Sequence, residues 1–378
     1  MSLVVDEHRQ YLADPVRISA FRRAIGAVVQ PGHVVVDLGA GTGILGLLAC
    51  QAGAARVYAI DDGGVIELAR EICRANGFDD RVVFLKGLST RLDLPEKADV
   101  VLADQIGRFG FDAGLLEYFS DARGRFLKAD GVTVPSGLEL VVAPVEHAAL
   151  REQLEFWQSA PAGLDFRPAR ALAANTGYPV VLGPEHLLGE PAALASLDLA
   201  TAAPGPLTLD GSIDATRAGR LDGIGGWFSA CLSPGVVMTN SPRAAERIRR
   251  TNVVFPIDQP VALEAGDRVR IRMRILPADL VVSWTVEVWA GAVQKGSFAH
   301  STLRGMLLAR EDLDRMRPHF VPRLSRWGEA RRSVLSLCDG RRALSEIERE
   351  LLARHPGLFR SLGEAAGFVA EVVTRYSV

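Results

Sequence analysis

The stretch Val34–Asp61, VVVDLGAGTGILGLLACQAGAARVYAID, decides the fold. A β-branched run, Val34–Val36, ends in Asp37, and glycines then stand at alternate positions, Gly39, Gly41 and Gly43. A helical pattern opens at Ile44 and stops near Gly53; a second apolar run, Val57–Ile60, ends in Asp61. The order is strand, tight glycine turn, helix, strand, with a carboxylate at the tip of each strand.

Glycine tolerates positive φ and lacks the Cβ that would keep a ligand off the backbone. Such a turn lets a nucleoside cofactor lie against main-chain N–H groups at a helix start. Gly41, Gly43 and Gly46 match the G-x-G-x-x-G of dinucleotide enzymes, a weak signal that Asp37 redirects. A carboxylate before the turn repels a pyrophosphate. It suits a cofactor with an ammonium group and no phosphate, as in S-adenosylmethionine. Asp61 suits two ribose hydroxyls, because an ionised carboxylate only accepts hydrogen bonds. The bland alternative is a turn that merely closes a βα unit; the paired strand-end acids argue against it.

Before the motif, Tyr11, Leu12, Val16, Ile18, Phe21, Ile25 and Val28 give an apolar helical stripe over 7–29. Asp14 and Pro15 suit an N-cap and a first helical position. Arg17 then falls in a first turn, where a cation is unfavourable beside the helix dipole unless it meets an anion, and the cofactor's carboxylate is the candidate. After the motif come a helix over 64–75, a strand over 82–85, the loop Lys86-Gly87-Leu88-Ser89-Thr90, and a strand over 98–103 ending at Asp104. A helix over 115–127 and an extended run over 131–134 close this part. The alternation predicts a mostly parallel, three-layer α/β sheet, with Asp37, Asp61 and Asp104 facing one crevice at the strand carboxyl ends.

From Leu138 short β-rich runs replace the alternation (138–144, 226–232, 252–255, 268–275, 281–289), which predicts an antiparallel sandwich or barrel. Residues 158–222, rich in Ala, Pro, Gly and Leu, give no resolvable pattern; the composition allows helical pieces or a projecting arm. From about Glu311 three short helices are expected. The expected domains are thus 1–137 for cofactor binding, 138–310 β-rich with the arm inserted, and 311–378 helical.

At 378 residues, 48% hydrophobic, with mean hydropathy +0.14, the chain has ample material for a core. A net charge of −2 advertises neither nucleic acid nor membrane as a partner. The four cysteines (Cys50, Cys73, Cys231, Cys338) form no C-x-x-C pair, which points away from a metal site or disulfide framework and toward a reducing compartment. No signal-peptide pattern opens the chain and no apolar run reaches spanning length, so a cytoplasmic protein is expected.

The first 140 residues resemble the catalytic core of the protein arginine methyltransferases, class I S-adenosylmethionine-dependent enzymes. His8-Arg9-Gln10-Tyr11-Leu12-Ala13-Asp14-Pro15-Val16-Arg17 resembles the family's cofactor-covering helix, and Val36–Leu45 its first motif. Asp61 stands at its ribose-binding acid, and Lys86-Gly87 and Leu94-Pro95 flank its adenine loop. Leu263-Glu264-Ala265-Gly266-Asp267 lies in a region similar to its barrel, so the resemblance spans roughly 7–305. It implies a Rossmann-like sheet followed by a barrel, S-adenosylmethionine as cofactor, a homodimer, and cofactor contacts from Arg17, Asp37, Gly39, Gly41, Gly43, Asp61, Ser89 and Thr90. Thr90 itself replaces the acid expected there.

The sequence departs from the family at the acceptor side. The family clamps its guanidinium with two glutamates; Asp104 aligns with the first and Ala113 with the second. A family Thr-His-Trp loop reads Ile248-Arg249-Arg250, and Val4-Val5 replace an aromatic pair. A guanidinium, with a pKa above about 12, is a poor nucleophile unless carboxylates take up its charge. One shortened acid beside two arginines therefore predicts a peptide or small-molecule acceptor that is not arginine. In this reading Asp104 orients the acceptor or receives its proton, His8 is a second candidate base, and Gln105 and Arg108 belong to the acceptor loop. Asp112 is the candidate substitute for the missing acid. Two alternatives stand beside it: a genuine arginine methyltransferase with an altered acid pair, and a non-catalytic cofactor-binding scaffold. Finally, Val334–Gly340 and the helix after it resemble small winged-helix modules of the PqqD-like kind, which capture leader peptides. The competing reading is a helical extension.

Overall fold

The computed structural model describes residues 4–377; the outer ends of the expected domain spans lie outside them. The chain divides into two compact units, Met1–Met306 and Leu307–Val378.

The first unit opens with α1 (Val4–Leu12) and α2 (Pro15–Val28). The single helix expected over 7–29 is broken at Ala13-Asp14, because Asp14 caps α2 and Pro15 occupies its first turn. Alternating units follow: β1 (Val34–Leu38), α3 (Ile44–Gln51), β2 (Arg56–Asp61), α4 (Val65–Ala75), β3 (Val82–Lys86), β4 (Ala98–Ala103), α5 (Leu115–Arg125) and β5 (Leu127–Val134). The five strands pair in parallel in the order β3-β2-β1-β4-β5. Parallel neighbours need crossovers, which α3, α4 and α5 supply. Every residue of β1 is buried, as expected for a central strand covered on both faces. The register pairs Leu38 with Ile60 and with Ala103, so the residues ending β1, β2 and β4 come level at one edge.

The β-rich region contains β6 (Gly137–Val145), α6 (Ala148–Glu155), α7 (Pro168–Ala173), β7 (Tyr178–Val180), β8 (Ala192–Asp198), β9 (Leu207–Asp214) and β10 (Gly219–Ser233). It continues through β11 (Val236–Thr239), β12 (Asn252–Leu263), β13 (Arg268–Leu276), β14 (Val281–Ala290) and β15 (Val293–Ser301). They form two antiparallel sheets, β7-β12-β10-β6-β8 with β11 on β10, and β15-β14-β13-β9. In β13, RVRIRMRIL, Val269, Ile271, Met273 and Ile275 are buried and the arginines between them exposed. Segment 158–222, unresolved by pattern, is a short helical arm followed by three strands and the start of the long β10. β7 spans only Tyr178–Val180 and the Ala-rich β8 holds no β-branched residue, so neither announces a sheet.

The second unit holds α8 (Arg310–Arg315), α9 (Arg326–Leu337), α10 (Leu344–Arg354) and α11 (Leu362–Tyr376). Ala330, Val334, Leu337, Ile347, Leu351, Phe359, Ala365, Val369 and Val372 form its core. It is helical as expected, but no strand occurs among its described residues, so the β wing of a winged helix is not among these elements. Among the described residues no helix is long and apolar enough to cross a membrane.

Candidate active site

Asp104 and the bare turn at Gly39 and Gly41 line a cavity of about 560 Å³; of the other strand-end acids expected to share its crevice, Asp61 lines a smaller cavity and Asp37 is buried behind the turn, on neither wall. Gly39, Gly41 and Gly43 adopt φ of 65°, 55° and 81°, which a side-chain-bearing residue rarely takes. A Cβ on Gly39 would lie 2.2 Å from Gln105 Nε2, and one on Gly41 2.6 Å from His8 Cε1. Two side chains therefore already press on the turn, and only glycine leaves room for them. Asp61 ties the turn down: Oδ2 accepts from the Gly41 N–H and Oδ1 from the Gly63 N–H, both at 2.8 Å. A smaller cavity beside it is lined by Asp61, Gly87, Leu88, Ser89, Gln105 and Tyr118. Ser89 is buried there; Thr90 is exposed and lines neither cavity.

Asp37 is fully buried. Its Oδ2 accepts from the Gly46 N–H at 2.8 Å, while Oδ1 has no partner. Burial is the main reason its pKa rises to about 7, with the Asp61 charge adding to it. An orphaned buried carboxylate oxygen beside a bare backbone turn is the environment that an ammonium-bearing nucleoside would complete. The residues present thus fit S-adenosylmethionine. A measurable consequence follows. As pH rises through about 7, Asp37 ionises and attracts a cation, so affinity for S-adenosylmethionine is expected to rise from pH 6 to pH 8. Asp37→Asn should flatten that profile in pH-resolved calorimetry. In the ligand-free protein the sign is opposite for stability. Between the ordinary carboxylate pKa and about 7 the folded chain holds a proton that the unfolded chain has released, so stability falls with rising pH across that window.

Arg17 does meet an anion, and it belongs to the protein: Nε donates to Asp104 Oδ2 at 2.5 Å. Arg250 Nη2 donates to the same oxygen at 3.1 Å, and its Nη1 to the Gly107 carbonyl. All three side chains are largely buried. Burial pushes the Asp104 carboxyl up, but Arg250 and Arg17 outweigh it and hold its pKa below the ordinary range. Asp104 Oδ1 stays without a partner.

Asp14 accepts from the Arg17 N–H with Oδ1, as a cap should, and from the Arg249 N–H with Oδ2. It thereby fastens α2 to the loop between β11 and β12. Asn240 reinforces that loop, donating to the Arg108 and Thr251 carbonyls. Asp112 accepts from the Arg108 N–H with both oxygens and from the Phe109 N–H. It is folded onto its own loop, and Ala113 beside it lines the cavity without an acid.

His8 also lines the main cavity, half-buried over Gly41. Among the lining residues that no sequence pattern assigns to the site are two tyrosines. Tyr11, which reads as part of an apolar stripe, stands with its ring 5.6 Å from the Arg17 guanidinium and 6.0 Å from that of Arg250. Tyr118 lines the smaller cavity, and its signal was only its place one turn into the helix after the acceptor loop.

Known proteins place this geometry. The family profile described as ribosomal protein L11 methyltransferase (PrmA) matches residues 22–152, and that of the arginine methyltransferase oligomerization subdomain matches 138–286. Protein arginine N-methyltransferase 6 of Xenopus laevis is 30% identical over 291 residues, covering 73% of this chain and 85% of the relative. The arginine N(omega)-methyltransferase of Streptomyces achromogenes subsp. streptozoticus is 30% identical over 277 residues, covering 70% and 75%. Among solved structures, the Trypanosoma brucei PRMT1 enzyme–prozyme heterotetrameric complex with AdoHcy shares the fold at a TM-score of 0.71. It is 24% identical and covers 78% of this chain and 96% of that one. The bare glycine turn, the strand-end acids and the barrel behind them are therefore those of an S-adenosylmethionine-dependent methyltransferase, and the chain belongs to the protein arginine N-methyltransferase family.

Proposed function

We propose that this enzyme methylates an acceptor group that is not a guanidinium, on a peptide or a small molecule. The observation that carries the reading is the state of Asp104. A carboxylate meant to take up the charge of an incoming guanidinium is already shared by Arg17 and Arg250. No acid stands at Ala113: Asp112 is spent on backbone N–H groups, and Glu7, the remaining acid on the cavity wall, accepts from the Tyr11 hydroxyl. Bringing in another cation would place three guanidinium groups around one buried carboxylate, which Coulomb repulsion in a poorly solvated site opposes. A neutral or anionic nucleophile meets no such barrier.

The residues proposed to hold the donor are Arg17 for its carboxylate, through the guanidinium N–H groups that its Nε bond to Asp104 leaves over, Asp37 and the Gly39–Gly43 backbone for its methionine and ribose portions, and Asp61 for the ribose hydroxyls. Ser89 lies by the adenine. When bound, S-adenosylmethionine supplies a methyl group already activated on sulfonium sulfur. The chain's task is then alignment, with the acceptor lone pair brought within about 3–3.5 Å in line. The free Oδ1 of Asp104 accepts a hydrogen bond from the acceptor's N–H or O–H and so orients it. Its depressed pKa makes it a weak base, and orientation rather than proton removal is its assigned part. His8, beside Gly41 on the same cavity, is the candidate to take the proton.

A second reading keeps arginine as the acceptor, favoured by the names of the two relatives above. Release of S-adenosylhomocysteine, measured over arginine peptides, free arginine, amines, alcohols and carboxylates, separates the readings. Turnover confined to non-guanidinium acceptors is expected; turnover of arginine comparable to the best of them would overturn the proposal. A homodimer, made through the arm that carries α7, is proposed from the matched oligomerization subdomain. A reducing, cytoplasmic setting is proposed from four free cysteines.

A further inference from the structure

The loop between β11 and β12 places Arg247, Arg249 and Arg250 in succession around a cavity of about 280 Å³. Asn240, Thr251, Asn252, Val181 and Ile248 complete its lining, and no acidic residue is among them. Arg249 and Arg250 also line the main cavity, so the two spaces share a wall.

The side chains divide by how their charge is used. Arg250 is neutralised by Asp104. Arg249, Arg247 and Arg108 make no ion pair among the described residues, although elsewhere in the unit arginines such as Arg151, Arg220, Arg268 and Arg272 are paired with aspartates. The nearby acids do not compensate them. Asp14 takes the backbone N–H of Arg249, and Asp112 takes that of Arg108. Each carboxylate thus fixes the backbone of an arginine without engaging its guanidinium. Asn252 and Asn240 are occupied with loop backbone, Asn252 Nδ2 donating to the Asn240 carbonyl, so they stiffen the cavity rather than compete for a ligand. Arg247 is anchored by one donor to the Leu182 carbonyl at 2.7 Å, which leaves the rest of its fork free. Arg108 Nε donates to Thr251 Oγ1 at the boundary of the two cavities.

Guanidinium forks held by rigid backbone and lacking internal counter-ions match the geometry of a carboxylate or phosphate. On a chain of net charge −2, such a strip is a local feature that focuses anions onto the crevice. We propose that the acceptor molecule carries an oxyanion, carboxylate or phosphate, which Arg247 and Arg249 hold in this cavity while the nucleophilic atom reaches Asp104 Oδ1. This rests on the reading of a non-guanidinium acceptor and adds the charge that selects it.

The test uses the full chain saturated with S-adenosylhomocysteine. Citrate and inorganic phosphate are titrated separately at constant ionic strength, with chloride as the control. Saturable binding of citrate alone assigns a carboxylate, of phosphate alone a phosphate, and of both an oxyanion site that does not discriminate. Arg249→Ala should weaken it by about tenfold or more, and Arg249→Lys by less, since the charge stays and the fork is lost. No saturable oxyanion binding, or binding that Arg247→Ala and Arg249→Ala leave unchanged, overturns the proposal. The first step of the same titration isolates the parent reading. Donor product that binds normally while neither oxyanion does sinks only this inference; failure of the donor product to bind to folded protein sinks both.

Discussion

Asp104→Ala is expected to lower the unfolding free energy by about 3–5 kcal/mol, the cost of removing one partner from a buried charge cluster. Asp104 Oδ2 is shared by Arg17 and Arg250, and the three side chains are 9%, 8% and 14% exposed. Without the carboxylate two guanidinium groups face each other in a site that water barely reaches. Urea unfolding at pH 7 followed by tryptophan fluorescence should show a lower midpoint. Adding Arg250→Met should recover part of the loss by removing one of the stranded cations. The pH dependence has a definite sign. The native pKa of Asp104 lies below its ordinary value, so its contribution is full above the ordinary carboxylate pKa of about 3.9 and fades as pH falls through the native value. An unfolding free energy within about 0.5 kcal/mol of wild type would show that the cluster is not held as described.

Asp61→Ala is expected to weaken S-adenosylhomocysteine binding by about 100-fold or more, the largest effect of any donor-side change. Two losses combine. The carboxylate no longer accepts from the ribose hydroxyls, and charge-assisted hydrogen bonds contribute about 1.5–3 kcal/mol each. The Gly41 and Gly63 N–H groups lose the oxygens that now fix them at 2.8 Å, so the turn is no longer preorganised. Gly63 is partly exposed and Gly41, though buried, lines the cavity, so the freed N–H groups can bond to water and the melting temperature should change far less than the affinity. Calorimetry on the variant with unaltered affinity would remove Asp61 from the donor site.

The donor half was legible because its logic is local. Strand, glycine turn and strand-end acids occupy Val34–Asp61, and the turn's geometry rests on positive φ at its own glycines and on Asp61 within the same stretch. Asp14 and Pro15 announced a helix start for the same reason. What escaped was long-range or masked by composition. The partner of Arg17 lies 87 residues away on another strand end, and no spacing rule names it. Arg249 and Arg250 both line the pocket, as the sequence suggests, but no pattern shows that Arg250 is consumed by Asp104 and that, of the two, Arg249 keeps its charge uncommitted. Strands β8 (AALASLD) and β15 (VQKGSFAHS) are poor in β-branched residues and are held by their neighbours' register, so tertiary pairing overrode weak propensity. The break between α1 and α2 was hidden by an apolar stripe that runs through both. A proline at a helix start looks alike in sequence whether it opens a new helix or kinks an old one.

In the proposed reading the donor crevice is kept, and Asp104 serves an internal ion cluster with Arg17 and Arg250 instead of a guanidinium clamp. The most direct measurement is sequential calorimetry on the wild-type full chain, first with S-adenosylhomocysteine and then, on the saturated protein, with an arginine-glycine peptide. The account predicts one saturable donor site per chain and no saturable heat from the peptide. Tight peptide binding at the saturated site, lost in Asp104→Asn, would contradict it.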